Sequence, residues 1–452
     1  MINRVLKFNL DDTIAGVSAP SGGAISIIRI SGPCSLRILS LVFSVKPPYE
    51  SHRIYYGWVK DIDEVLVSVM LAPKTFTRQD VVEINCHGGS VAVAKILELV
   101  LSCGARLAEP GEFTKRAFLA GRIDLSRAEA IMDVINARSA LSHKAAAGQL
   151  AGRLAELLNN CCDNLVGLLA RIEMAIDYPE HDEAEVVAED VKRRILAVLQ
   201  QINGLLATAR EGRLIREGIK TVILGRPNVG KSSLLNAMLG QQRAIVTHIP
   251  GTTRDVLRET VRIGSIFLVL SDTAGIRETS DIIENLGVEL SLKEAEEADL
   301  VLIVLDGSEP LELSILNSQF SISEPNVNII AVINKSDLPR KIDTGELNMP
   351  YVFVSAKNNE GIEELSAKIE EMFVSQNMEY GQEIVTNVRH INLLNNARMA
   401  LLNAVDSIEG GMFIDLAAID ISEAYAHLGE ITGIAVDEEL VDRIFAEFCL
   451  GK

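Results

Sequence analysis

Gly225-Arg226-Pro227-Asn228-Val229-Gly230-Lys231-Ser232 places two glycines, a lysine and a hydroxyl at the spacing G-x-x-x-x-G-K-[ST]. Glycines let a backbone curl until its N–H groups face a chain of phosphates. Lys231 is placed to reach the β- and γ-phosphates of a nucleotide, and the Ser232 hydroxyl to ligate Mg²⁺. The chemistry needs a strand before the loop and a helix after it. Thr221-Val222-Ile223-Leu224 reads as the buried strand, and Ser233 to Leu239 as the helix. The N-terminus of that helix adds partial positive charge where the phosphates would lie.

Three more stretches follow apolar runs, as ligand loops of a parallel sheet do. Asp272-Thr273-Ala274-Gly275 follows Ile266 to Leu270; an Asp there holds Mg²⁺ through water, and the Gly N–H senses a γ-phosphate. Asn334-Lys335-Ser336-Asp337 follows Val327 to Ile333 and is similar to the guanine-reading N-K-x-D of GTPases. The Asp337 carboxylate accepts from guanine's ring N–H and exocyclic amine, a donor pair that adenine lacks. Ser355-Ala356-Lys357, after Tyr351 to Val354, reads as the remaining guanine-side loop. Order and spacing favour GTP over ATP. Ile276 stands where Ras-like proteins carry a water-orienting Gln, so hydrolysis must borrow a group from elsewhere. Thr247 to Asp255 is a threonine-rich switch whose Thr can close over Mg²⁺.

The 452 residues allow two to four domains. Aromatic residues are only 4% against 48% hydrophobic, so the core must be built from Leu, Ile, Val and Ala, which suits helices and parallel strands. A net charge of −19 excludes nucleic-acid binding spread over the whole surface; RNA contact would need a local basic patch or a basic partner. None of the six cysteines forms C-x-x-C, and no apolar run reaches transmembrane length, which predicts a cytoplasmic protein with reduced thiols. Residues 1–121 read as a small α/β domain and 122–217 as helical, with Leu150 to Ile172 forming a bundle-core stripe. Residues 218–378 read as five apolar strands alternating with helices, a doubly wound sheet. Residues 379–452 are helical again and too short to bury a core alone, so the nucleotide domain is expected to be an insertion within one helical domain. His181, in the acidic loop 177–182, reads as solvated.

The whole chain resembles the MnmE (TrmE) family of tRNA-modification GTPases. The likeness is carried by Ile27 to Gly32, Cys86-His87-Gly88-Gly89, Pro110 to Thr114, Ile176 to Glu180, Pro250 to Asp255 and Phe448-Cys449-Leu450-Gly451-Lys452. It implies a multidomain α/β plus α fold: an N-terminal domain of tetrahydrofolate-binding type that also dimerises the protein, and a helical domain carrying an inserted G domain. It implies a homodimer working with FAD-containing MnmG (GidA), in a heterotetramer or larger complex, on the wobble uridine of tRNA. Carbon 5 of that base would receive an aminomethyl or carboxymethylaminomethyl group, with a one-carbon unit from methylene-tetrahydrofolate.

The residues the resemblance assigns follow from matching motifs. Arg29, Glu83, Arg122 and Lys452 fall to the folate derivative; periodicity alone reads the first three as solvated charges. K⁺ falls to Asn228, Thr247, Ile249 and Thr252, Mg²⁺ to Ser232 and Thr253, and the water-positioning acid to Glu284. Lys231 is the other catalytic residue; Val229, Gly230, Ser233, Thr247, Thr252, Thr253, Thr273 and Ala274 join the GTP contacts. Cys449 matches the family's cysteine and reads as a small apolar packing residue. One departure is Ala19-Pro20-Ser21-Gly22-Gly23, where the family has P-P-G-R-G-G: an arginine is absent and the loop shorter. Two other readings compete. A ribosome-assembly GTPase shares the G-x-P-N-x-G-K-S loop but carries basic RNA-binding modules, absent here. A folate-binding scaffold with a vestigial GTPase is at odds with intact Lys231, Ser232, Asp272 and Asp337.

Overall fold

The computed structural model describes residues 11–19, 22–177, 184–241, 259–270, 298–311, 327–374, 383–411, 414–434, 436–448 and 451. The first sheet contains β1 (Ile14–Val17), β2 (Ile25–Ser31), β3 (Arg53–Val59), β4 (Asp63–Met70), β5 (Val81–His87) and β6 (Arg106–Leu107). Their order is β3-β4-β5-β2-β1-β6, antiparallel except for the β1–β6 pair. Strands β4 and β5 alternate because one face is covered: Val65, Val67, Val69, Val82, Ile84 and Cys86 are buried. Helices α1 (Ser35–Val42) and α2 (Ser90–Ser102) cover that face through Ile38, Leu39, Val93, Ile96 and Val100. Helix α3 (Glu112–Leu119) is held to β6 by Glu112, which accepts from Arg106 Nη2 at 2.6 Å and Arg116 Nη2 at 2.9 Å.

A run of helices follows: α4 (Leu125–Asn136), α5 (Ala140–Ala151), α6 (Arg153–Asp177), α7 (Ala184–Ala207) and α8 (Ala209–Glu217). Local chemistry sets the breaks. Asp124 caps α4 by accepting from Arg127 N, Ser139 and Ser142 form a capping box at α5, and Gly152 separates α5 from α6 in a left-handed conformation. The stripe in α6 is core: Leu154, Leu158, Cys161, Cys162, Leu165, Leu168 and Ile172 are buried at spacings of three and four. Burial pushes the Cys161 and Cys162 thiols up to about 11 and about 12, which keeps them protonated and inert.

The second sheet contains β7 (Ile219–Leu224), β8 (Glu259–Ile263), β9 (Ile266–Leu270), β10 (Leu300–Asp306), β11 (Asn328–Asn334) and β12 (Tyr351–Phe353), in the order β12-β11-β10-β7-β9-β8. All neighbours are parallel except β8 and β9. The sequence reading of five strands is therefore one short. Strand β8 is a half-exposed edge joined to β9 through Gly264-Ser265, and Glu259-Thr260-Val261-Arg262-Ile263 alternates instead of forming an apolar run. Helices α9 (Lys231–Gln241) and α10 (Ile362–Phe373) belong to this domain. After it come α11 (Val388–Glu409), α12 (Ile414–Thr432) and α13 (Glu438–Ala446). Buried residues of α11 and α12, among them Leu394, Leu401, Ile421 and Leu428, share one core with α6 and α7. The helices on either side of the nucleotide domain thus close on each other. Among the described residues no helix is long and apolar enough to cross a membrane.

Candidate functional site

The strand order reverses direction at β7, which has β10 on one side and β9 on the other. In an open α/β sheet a ligand lies outside the carboxyl ends of the strands at such a point. The loop from Gly225 to Gly230 leaves β7 there and enters α9 at Lys231. Lys231 Nζ donates to the carbonyls of Gly225 at 2.6 Å and Arg226 at 2.8 Å, so the ammonium lies along the loop. Ser232 and Ser233 are exposed in the first turn of α9. Asn228 adopts φ 65°, a left-handed conformation that Asn tolerates.

Asn334 binds the three described loops of the site together. It is buried; its Nδ2 donates to the Val229 carbonyl at 2.8 Å, and its Oδ1 accepts from Ala356 N at 3.0 Å. The approach is close enough to require Gly230, where a Cβ would stand 2.2 Å from Asn334 Nδ2 at φ +97°. Asp337, exposed, accepts from the Ser355 hydroxyl at 2.7 Å. Ser355 and Ala356 are buried and Lys357 is exposed. The structure therefore brings together Asn228 to Ser233, Asn334, Lys335, Asp337 and Ser355 to Lys357. Thr247, Ile249, Thr252, Thr253, Asp272 to Ile276 and Glu284 lie outside the described residues, as do Lys452, Cys449 and His181. Of the residues expected at Mg²⁺, the structure describes Ser232, which is exposed beside Lys231 and offers the kind of oxygen donor that ion takes.

Sequence reasoning missed Asp306. It is the last residue of β10, and its Oδ2 pairs with Lys335 Nζ at 2.5 Å. Its Oδ1 accepts from Ser308 N at 2.9 Å and Ser308 Oγ at 2.6 Å. Burial pushes its carboxyl up, but the bonds from Lys335 and Ser308 outweigh that and hold it below its ordinary value. A carboxylate so fixed positions the lysine of the base-reading loop. The only sequence signal was an Asp closing an apolar strand. Asp306→Asn is expected to weaken GTP binding by roughly three- to tenfold, as loss of one charge-assisted pair near the surface. Nucleotide titration would check it; affinity equal to wild type would leave Asp306 a purely structural residue.

A second constellation lies in the first sheet. Arg29 on β2 is in register with Glu83 on β5, and Arg29 Nε donates to Glu83 Oε1 at 2.8 Å. Arg29 Nη1 also reaches the carbonyl of Gly451 at 3.3 Å, which accepts from Ser18 Oγ at 2.9 Å. The C-terminal segment is thus seated on β1 and β2, one residue short of Lys452. The Arg29 guanidinium lies 5.5 Å from the Phe113 ring centre, and that of Arg122 lies 4.8 Å from Phe76. Phe76 and Phe113 share a cluster with Ile14 and Ala108, so both arginines border one apolar patch. Beside the shortened loop, Gly22 N donates to the Gly88 carbonyl at 3.0 Å and Gly88 N to the Ala24 carbonyl at 3.0 Å, tying Cys86-His87-Gly88-Gly89 to the entry of β2.

A parallel sheet with a phosphate-binding loop at its switch point, carried by a helical bundle behind a separate antiparallel sheet, defines a multidomain P-loop GTPase. Residues 13–122 match the family described as "GTP-binding protein TrmE N-terminus", and residues 125–449 match "MnmE helical domain". The chain belongs to the MnmE family. It is 47% identical over 458 residues to the tRNA modification GTPase MnmE of Lactiplantibacillus plantarum, covering 98% of each chain. It is 48% identical over 460 residues to that of Geobacillus thermodenitrificans, covering 98% of this chain and 99% of the relative. Among solved structures, the G domain of the T. maritima FeoB iron transporter is similar at 32% identity and a TM-score of 0.24, over 34% of this chain and 97% of that one.

Proposed function

We propose that this chain is the GTP-hydrolysing subunit of a cytoplasmic enzyme complex that modifies tRNA, adding an aminomethyl or carboxymethylaminomethyl group to carbon 5 of the wobble uridine. The observation that carries the GTPase part is Asn334, which fixes the base-reading loop to the phosphate loop at 2.8 Å. Lys231 would hold the β- and γ-phosphates, Asp337 the guanine edge, and Glu284 the attacking water. Ser232 and Thr253 would hold Mg²⁺, which supplies positive charge to the phosphates when bound.

The one-carbon part of the reading rests on the second constellation. Arg29 and Arg122 are cations beside an apolar patch, suited to a flat ring with an anionic tail. The tail of the chain at Gly451 completes that border, which favours a role for Lys452. The homodimer reading is supported by β3 and β4 at the sheet edge, where Ile54, Tyr56, Trp58 and Leu66 are about half exposed or more. The net charge of −19 leaves most of the tRNA contact to a partner, the role given to FAD-containing MnmG.

Arg29→Ala, or deletion of Lys452, is expected to weaken binding of 5-formyl-tetrahydrofolate and abolish the modification while basal GTP hydrolysis survives. Calorimetry and mass analysis of tRNA nucleosides measure the two effects. Intact folate binding in both variants would place the site elsewhere.

A further inference from the structure

Both passages of the chain between the helical domain and the nucleotide domain are anchored on one face of α4. On the way in, Arg216, near the end of α8, donates from Nε to Asp133 Oδ1 at 2.8 Å. Strand β7 begins at Ile219. On the way out, the segment after the nucleotide domain ends in Asn387, Arg389 and His390, and all three reach Glu129. Asn387 Nδ2 lies 3.0 Å from Oε1, Arg389 Nε 3.0 Å from Oε1 and Nη2 2.7 Å from Oε2, and His390 Nε2 2.7 Å from Oε2. Asn387 also caps α11 by accepting from Arg389 N at 2.9 Å. Glu129 and Asp133 are four residues apart, so a single turn of α4 holds both passages.

The two passages also touch each other. Val385 N donates to Thr208 Oγ1 at 3.1 Å. Gly212 lies so close that a Cβ there would stand 2.1 Å from the Val385 carbonyl oxygen. Arg153 pairs with Glu383 at 3.3 Å. Arg389 spends its remaining donors on the carbonyls of Glu430 and Ile431 at the end of α12. Burial pushes the Glu129 carboxyl up, but His390 and Arg389 outweigh it and hold the value at about 2, so the group is ionised and Nε2 of His390 carries the donated proton.

The start of α4 packs on helices α3 and α13, of which α3 is tied to β6 through Glu112 and Arg106. Leu125 and Ala128 pack with Phe118 of α3 and with Val441, Phe445 and Phe448. Phe448 stands three residues before Gly451, whose carbonyl is held by Ser18 and Arg29. A buried carboxylate stripped of its donors costs far more than one that keeps them. The ends of both passages are therefore clamped to α4.

We propose that α4 is the lever by which the nucleotide bound in the inserted domain acts on the N-terminal sheet, with Glu129 as its positioning residue. The inference goes beyond the function proposed above and shares with it only that guanine nucleotides bind. Hydrogen exchange on the full chain, compared between GDP and a non-hydrolysable GTP analogue, tests it. In the wild type, amide protection over 125–136 and 441–448 is expected to differ between the two states. In Glu129→Gln that difference is expected to be lost, while nucleotide affinity and the exchange differences inside the nucleotide domain remain. A merely structural role would change protection equally in both states. Where Glu129→Gln does not fold, Asp133→Asn combined with Arg216→Gln removes the other anchor without leaving a charge unpaired, and the same loss is expected. A nucleotide-independent α4 in the wild type, or a difference that persists in the folded variant, overturns the proposal. A chain that couples nucleotide to α4 but modifies no tRNA would leave the lever standing and remove the tRNA reading.

Discussion

Asp337→Asn is expected to lower GTP affinity by roughly ten- to hundredfold, the equivalent of about 1.5–3 kcal/mol for one charge-assisted bidentate contact. Guanine presents a ring N–H and an amine on one edge, and a carboxylate accepts both. An amide in the same place turns one acceptor into a donor, which meets a donor on guanine but an acceptor on xanthine. The variant should therefore gain xanthine nucleotides as it loses guanine ones. The loop is well placed for so local a change, because Ser355 Oγ holds Asp337 at 2.7 Å and Asn334 holds the loop to Val229 and Ala356. Competition between GTP and XTP in a nucleotide titration measures the switch. GTP affinity equal to wild type would remove Asp337 from the base-reading role.

The parallel sheet was legible because its strands are buried on both faces and read as unbroken apolar runs, as Leu300 to Leu305 and Ile329 to Ile333 do. The phosphate loop was legible because its glycines, Lys231 and Ser232 are fixed by one steric and electrostatic task. Strand β8 was not, since a half-exposed edge strand carries Arg262 and Thr260 as readily as a loop does. Buried charge was the larger gap. Glu129 and Asp133 occur in a sequence with ordinary amphipathic spacing, and periodicity assigns such carboxylates to solvent. Their partners Arg389 and Arg216 are 260 and 83 residues away in the chain, beyond any local pattern. Asp306 was invisible for the same reason: its meaning lies in Lys335, in the loop that follows the next strand. For Arg29, Glu83 and Arg122, single-sequence physics gave solvated charges, and only the family resemblance gave them a ligand.

Faster GTP hydrolysis in KCl than in NaCl at equal ionic strength is the expected signature of how this site manages without a glutamine at position 276. Charge that develops between the β- and γ-phosphates needs a cation, and an arginine finger in that role is worth about 10³–10⁵ in rate. Asn228 stands in the phosphate loop itself, exposed and in a left-handed conformation. With the carbonyls of Thr247 and Ile249 and a contact from Thr252, which the family resemblance assigns to K⁺, its side-chain oxygen would form a set suited to the ion, since a roomy shell of carbonyl oxygens favours K⁺ over the smaller Na⁺. On this proposal the shell would close when two nucleotide domains meet, so GTP-dependent dimerisation of that domain should accompany the stimulation. Glu284 would then orient the attacking water through a second water, the role the family resemblance assigns to it. Glu284→Ala should keep GTP binding and lose most turnover. Asn228→Ala should lose the difference between the two salts while its dependence on Mg²⁺ persists, because Ser232 is untouched. Turnover measured at saturating GTP in the two salts decides the matter: equal rates in the wild type would take Asn228 and the threonine-rich switch out of this role and leave the source of the compensating charge to be sought in a partner.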